Sequence, residues 1–260
     1  MIRLESTDDG LVATLTLDRP EARNALSVEM CDAIVEGLQE VDRSESRVLL
    51  IRGAGKVFCS GADLGAVSSS TGALRFLPAF ERMLEAVARC RLPTIASIHG
   101  AALGGGFQLA SVCDFRLAAS DAKIGIPSSK IGILVNFENI ERLVLLAGPA
   151  TAKEMLMTGR TYSGKEAEAA GLVNHRIPAD QLDEASRQLA GELAQRAPLS
   201  VQGTKIAVQA VVDHLGNTRS AHRQTVEDID KLVAVVYASE DLQEGVRALT
   251  EKRAPHFKGH

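Results

Sequence analysis

The sequence predicts an α/β protein, and three observations carry the prediction. Short β-rich runs alternate with helix-period segments over the first 180 residues, the pattern of repeated strand–helix units. Two of the β-rich runs end directly in glycine-rich loops, and the stretch after residue 140 reads almost wholly as helix. With 260 residues, 45% apolar and 24% charged, the chain is long enough to bury one substantial core.

Taken in order, residues 11–17 alternate Thr with apolar side chains, the period of a strand. Arg19-Pro20 marks a turn, after which Met30, Ile34, Leu38 and Val41 recur at helical spacing. Residues 48–51 form a second strand, 74–89 a helix, and 94–98 and 115–119 two more strands. Helices follow over 140–158, 179–196, 201–215, 218–238 and 241–252. Gly171 ends a short helical stretch as its C′ residue, with a strand over 172–177 behind it. No linker rich in Pro, Gly or Ser interrupts the chain. The expected organisation is an α/β core over residues 1–195 and a helical region over 196–260 that packs on a neighbouring subunit.

Composition excludes several classes. Twenty-nine Lys and Arg against 33 Asp and Glu give a net charge of −4, which argues against nucleic-acid binding. Trp is absent, so base-stacking platforms are not expected. Cys31, Cys59, Cys90 and Cys113 form no CxxC and do not cluster with His, so neither a metal site nor a disulfide framework is expected. Residues 1–10 carry three acids and no apolar h-region, and the apolar run at 143–148 is far shorter than the ~20 residues of a membrane helix. These features predict a cytoplasmic protein without a membrane partner.

The two glycine-rich loops carry the chemistry. One runs Arg52-Gly-Ala-Gly-Lys-Val-Phe-Cys-Ser-Gly-Ala-Asp-Leu64, the other His99-Gly-Ala-Ala-Leu-Gly-Gly-Gly-Phe-Gln-Leu-Ala110. Neither matches a phosphate-cradling motif, and each alone reads as a tight turn. Together they suggest more. A Gly triplet opening a helix leaves peptide N–H groups unpaired at the positive end of the helix dipole. A second donor from Ala62 would complete a hole for a carbonyl oxygen that becomes negative.

The chain resembles the crotonase (enoyl-CoA hydratase/isomerase) superfamily. The resemblance rests on Leu17-Asp-Arg-Pro-Glu-Ala-Arg-Asn-Ala-Leu26, Phe58-Cys-Ser-Gly-Ala-Asp-Leu64 and Gly100-Ala-Ala-Leu-Gly-Gly-Gly-Phe-Gln-Leu-Ala-Ser-Val-Cys-Asp114. Met157-Thr-Gly-Arg160, Ala169-Ala-Gly-Leu-Val173 and Glu251-Lys-Arg-Ala-Pro-His-Phe-Lys258 continue it in family order. It implies a spiral of ββα turns with a C-terminal helical trimerisation region, and a trimer or dimer of trimers. It also implies an acyl-CoA thioester substrate whose enolate is held by the peptide N–H groups of Ala62 and Gly105. Ala22, Arg23, Asp63 and Leu64 would line the CoA groove, while Leu249 and Lys252 would reach the CoA of a neighbouring subunit. Arg23 and Lys252 read equally as solvated charges. No cofactor is implied beyond the CoA of the substrate.

The sequence also departs from that pattern. Hydratases of the superfamily activate water with two glutamates; here those positions are Gln108 and Ser128. Neither side chain is a base near neutral pH, although each can orient a ligand. The loop between Gly132 and Arg142 lacks the family's usual glycines, and Val135, Asn136 and Phe137 should narrow the acyl pocket. Glu138 is the first candidate for a substitute base, or else an N-terminal helix charge favourable to the dipole. Asn136 can orient but not deprotonate. His99, Asp63, Asp114 and Cys59 read as structural; Glu81 and Glu85, on the helix after the first loop, could face the pocket but read more simply as surface residues. Hydration is therefore doubtful, whereas isomerisation needs one base and decarboxylation of a malonyl-type thioester needs none. A non-catalytic acyl-CoA-binding homologue is the rival reading. A Ser128–His99 hydrolase lacks the expected GxSxG elbow.

Overall fold

A computed structural model of the chain describes residues 1–7, 9–67, 70–215, 231 and 233–256. Its main sheet has six strands in the order β1-β2-β3-β4-β6-β9. These are β1 (Ile2–Ser6), β2 (Val12–Leu17), β3 (Val48–Gly53), β4 (Thr94–Ile98), β6 (Phe115–Ala119) and β9 (His175–Ile177). Only β1 runs antiparallel to its neighbour. Every residue of β4 is buried, as a central parallel strand requires. β1 lies outside the strands expected from the sequence, although its Ile2 and Leu4 alternate with Arg3 and Glu5 at the strand period.

A second sheet joins β5 (Ala101–Leu103), β7 (Lys123–Gly125) and β8 (Tyr162–Ser163). Isolated parallel bridges extend it backwards, from Cys59 to Ala102 and from Ala62 to Leu26. Successive chain turns thus stack in the same direction, which is the expected spiral.

The helices cover these sheets. Helix α1 (Val28–Asp42) starts where the Ser27 hydroxyl accepts from the Met30 N–H, and it buries Met30, Cys31, Ile34, Leu38 and Val41. The short α2 (Leu64–Val67) leads to α3 (Ser70–Ala88), four residues longer at its start than the spacing predicts. Helix α4 (Gly105–Ser111) follows the Gly triplet. Helix α5 (Phe137–Thr158) begins at the Asn136 cap rather than at residue 140. It is not one continuous helix, because Gly148 adopts φ 78° and ψ 162° just before Pro149, which cannot continue the hydrogen-bond ladder.

Helix α6 (Gly164–Ala169) has a capping box between Ser163 and Glu166. Its C′ residue is Gly171, and the Leu172 N–H bonds back to the Ala167 carbonyl. Leu172 therefore belongs to the helix cap, and the strand expected over 172–177 shortens to β9. Residues 179–181 form a 3-10 turn ahead of α7 (Leu182–Ala194). Helix α8 (Pro198–Leu215) is anchored by Lys205, whose ammonium donates to the Leu92 carbonyl at 2.9 Å and to Asp114 at 2.7 Å. Of the helix expected over 218–238, residues 233–237 are helical; residues 216–230 and 232 lie outside the described residues. The last helix, α9 (Glu240–Glu251), packs on the 3-10 turn Ser128–Ile131. No helix among the described residues is long and apolar enough to cross a membrane.

The two glycine-rich loops meet through Gly106. A Cβ there would lie 2.5 Å from the Cys59 carbonyl oxygen and 2.8 Å from its Sγ. Gly106→Ala should therefore push the loops apart and destabilise the fold by about 1–3 kcal/mol, read as a lower denaturant midpoint.

Candidate active site

Peptide geometry fixes the direction of both predicted donors. The Gly61 carbonyl accepts from the Leu26 N–H at 2.8 Å, and the Asp63 N–H donates to the Leu26 carbonyl at 2.7 Å. No peptide bond among the described residues is cis, so the N–H of Ala62 points opposite to the Gly61 carbonyl and away from Leu26. The same reasoning applies one turn along the spiral. The Gly104 carbonyl accepts from Phe107 and Gln108, both at 3.1 Å, so it points into α4. The Gly105 N–H consequently points out of the helix start.

The two segments abut. A Cβ on Gly61 would stand 2.8 Å from the Leu103 carbonyl and 3.5 Å from the Gly105 nitrogen. Neither donor makes a backbone hydrogen bond in the turns and loops among the described residues. The two loops are thus in contact beside these two peptide N–H groups. The Phe80 ring of α3 roofs Gly105, 3.1 Å from where its Cβ would be, and stacks on Phe76.

The two neutral candidates lie on α4 and on the 128–131 turn. Gln108 lies three residues beyond Gly105 on α4 and is only 8% exposed, yet no buried side-chain nitrogen or oxygen among the described residues lacks a partner. Its amide, which makes no hydrogen bond among those residues, therefore opens onto accessible space. Ser128 is half-buried at the start of the turn on which α9 rests.

The other predicted residues are distributed as follows. Glu138 is exposed on the first turn of α5. Ala22 ends a 3-10 turn and exposed Arg23 follows it in the left-handed region at φ 52°, its carbonyl accepting from the Ser60 N–H. Asp63 accepts from the Gly65 N–H and pairs with Arg19 at 3.5 Å, and Leu64 packs against the core. Leu249 and Lys252 are exposed at the end of α9, beside a knot in which Glu244 receives Arg247, Arg253 and the His256 N–H.

The residues read as structural have structural partners. Asp114 accepts from the Thr94 N–H and hydroxyl and from Lys205. Burial pushes the Cys59 thiol up to about 12, which leaves it protonated. The His99 Nε2 lies 3.1 Å from the Gly55 carbonyl oxygen, and burial lowers its pKa, so the ring is neutral at pH 7.

Of the two placements open to Glu81, surface or inward-facing, the structure favours the second. It is not a surface residue but half-buried, and its Oε1 accepts from Asn139 at 2.9 Å. Asn139 is itself buried, donates to the Asn136 Oδ1 at 2.6 Å and accepts from Arg142 at 2.7 Å. The sequence carried no sign of this cluster because Glu81 and Asn139 are 58 residues apart and meet only through the tertiary fold. Glu85 does stay exposed, paired with Arg89. Among the described residues, no three His, Cys, Asp or Glu side chains group as a metal site.

The enoyl-CoA hydratase/isomerase family matches residues 7–260. Carnitinyl-CoA dehydratase of Salmonella typhi is 36% identical over 98% of both chains. A solved methylmalonyl-CoA decarboxylase, in complex with 2-nitronate-propionyl-CoA, superposes with a TM-score of 0.90 at 26% identity over 100% of this chain and 98% of that one. An enoyl-CoA hydratase from Bacillus anthracis gives a TM-score of 0.77 at 31% identity over 100% and 99%.

Proposed function

Since the chain belongs to the enoyl-CoA hydratase/isomerase family, we propose that it decarboxylates a malonyl-type acyl-CoA thioester and does not hydrate an enoyl-CoA. One observation carries this reading: the loops of Ala62 and Gly105 abut with both peptide N–H groups outside the loop hydrogen bonds, while both positions for water-activating acids hold neutral side chains. The TM-score of 0.90 to a methylmalonyl-CoA decarboxylase supports it.

Decarboxylation fits such a site. The bond between the α-carbon and the carboxylate breaks, CO₂ leaves, and the electron pair forms an enolate whose oxygen accepts from Ala62 and Gly105. A proton then adds to the α-carbon. The N–H groups strengthen as the oxygen becomes negative, so they favour the transition state over the ground state. Gln108 and Ser128 supply orienting hydrogen bonds without basicity. CoA enters only as part of the substrate, along Ala22, Arg23, Asp63 and Leu64. Glu138, exposed, serves the α5 dipole.

Self-association as a trimer or dimer of trimers is part of the proposal. Leu199, Ile206, Val208 and Val211 on α8 are 58–86% exposed, a surface that a second copy would cover. Leu249 and Lys252 would then reach a neighbour's CoA.

The test compares two substrates. Methylmalonyl-CoA should lose CO₂, while loss of crotonyl-CoA absorbance should run at least ~10²-fold slower than in a two-glutamate hydratase. Hydration matching that control would overturn the reading. Tight thioester binding by calorimetry without any turnover would favour the non-catalytic binding protein.

A further inference from the structure

We infer that Gln108 selects the acyl group of the substrate, its carboxamide N–H donating to a carboxylate carried on the α-carbon of the thioester. The inference deepens the reading proposed above and rests on it for one point, the seat of the thioester carbonyl at the Ala62 and Gly105 N–H groups.

Position comes first. Helix α4 begins at Gly105, and Gln108 lies in its first turn with its backbone N–H bonded to the Gly104 carbonyl at 3.1 Å. Positions three apart on a helix share a face, with their Cβ positions about 5–6 Å apart. Long helical side chains lean back over the preceding turn, so the Gln108 chain runs toward the helix start that carries the Gly105 donor. A carboxylate on the α-carbon is attached next to the thioester carbonyl. A substrate whose carbonyl accepts from Gly105 therefore carries that carboxylate within one side-chain length of the Gln108 position.

The carboxamide is also uncommitted. Among the described residues there are two other buried carboxamides, Asn24 and Asn139, and both are bonded through nitrogen and oxygen alike. Gln108 is as buried a residue, yet its amide bonds to no protein group and is not sealed in. An amide in that state keeps its full donor capacity for a ligand.

The type of side chain then decides which ligand. Glutamine is uncharged at every pH, so it does not repel a carboxylate as glutamate would, and its NH₂ group is a donor. It also lacks the charge of Lys or Arg. An ion pair would stabilise the carboxylate most before CO₂ leaves and so raise the barrier, whereas a neutral donor recognises the group with less ground-state stabilisation.

Two CoA thioethers test the assignment without any carbonyl chemistry. One is 2-carboxypropyl-CoA, which keeps the carboxylate; the other is S-isobutyl-CoA, in which a methyl group replaces it. Affinities are measured by calorimetry and compared as a ratio within each variant, which a change in folded fraction does not move. Wild type should favour the carboxylated compound by about 10-fold or more. Gln108→Leu should bring the ratio close to one with S-isobutyl-CoA still bound, and Gln108→Glu should take it below one by like-charge repulsion. A wild-type ratio near one, or a ratio that neither substitution moves, would overturn the Gln108 assignment. Decarboxylation stands in that case if wild type still releases CO₂ from methylmalonyl-CoA, and falls with the assignment if it does not. A ratio that Gln108 controls, in a protein inert toward methylmalonyl-CoA, would support the assignment and overturn decarboxylation alone.

Discussion

Gly105→Pro should fold and lose ~10²–10³-fold of its turnover, because proline deletes one of the two peptide donors. Position 105 is the first residue of α4, the helical position where proline is best tolerated and where an N–H has no helical partner. Gly104 precedes it at φ 52° and ψ −124°, outside the α region that proline disfavours in the residue before it. The cost should therefore fall on chemistry. Gly105→Ala is the control, since it keeps the N–H while placing a Cβ 3.1 Å from the Phe80 ring and 3.4 Å from Leu26. A clear separation between the two variants in methylmalonyl-CoA decarboxylation assigns the loss to the donor. A folded, fully active proline variant would remove Gly105 from the oxyanion hole.

The largest stability effect is expected at Asn24, which has no exposed surface and lies at φ 55°. Its amide nitrogen is shared among the carbonyls of Ala54, Val57 and Phe58 at 2.9–3.1 Å, and its Oδ1 accepts from the Arg19 N–H at 3.0 Å. One side chain thus ties the 19–26 segment to the first glycine-rich loop. Asn24→Ala strips buried carbonyls of their donor and puts alanine in a conformation that asparagine tolerates better. The expected cost is about 4 kcal/mol, or on the order of 10 °C in Tm. The released loop carries Ala62, so turnover should fall further than the folded fraction does. Denaturant titration beside a rate measurement separates the two effects.

Much of the fold was legible in local pattern. The Thr-alternating run became β2, the Met30–Val41 spacing became α1, and Gly171 sits at a helix C′ position, because each depends on neighbours within a few residues. Element ends were less legible. Asn136 starts α5 earlier than its apolar period suggests, through a cap hydrogen bond, and Gly148 breaks that helix through a single torsion.

The chemical types at the site were also determined by the sequence alone. Gln108 and Ser128 are neutral wherever the chain places them, and that fact by itself argues against a two-acid hydration. Tertiary structure decided what those types can do. Ala62 becomes a free donor only because the preceding carbonyl is taken by Leu26, 35 residues earlier by the Gly61–Leu26 pairing. Glu81 and Glu85, one helical turn apart and alike in composition, part company in the same way. The fold buries Glu81 against Asn139 of α5 and leaves Glu85 more exposed, and desolvation is a property of neighbours distant in sequence.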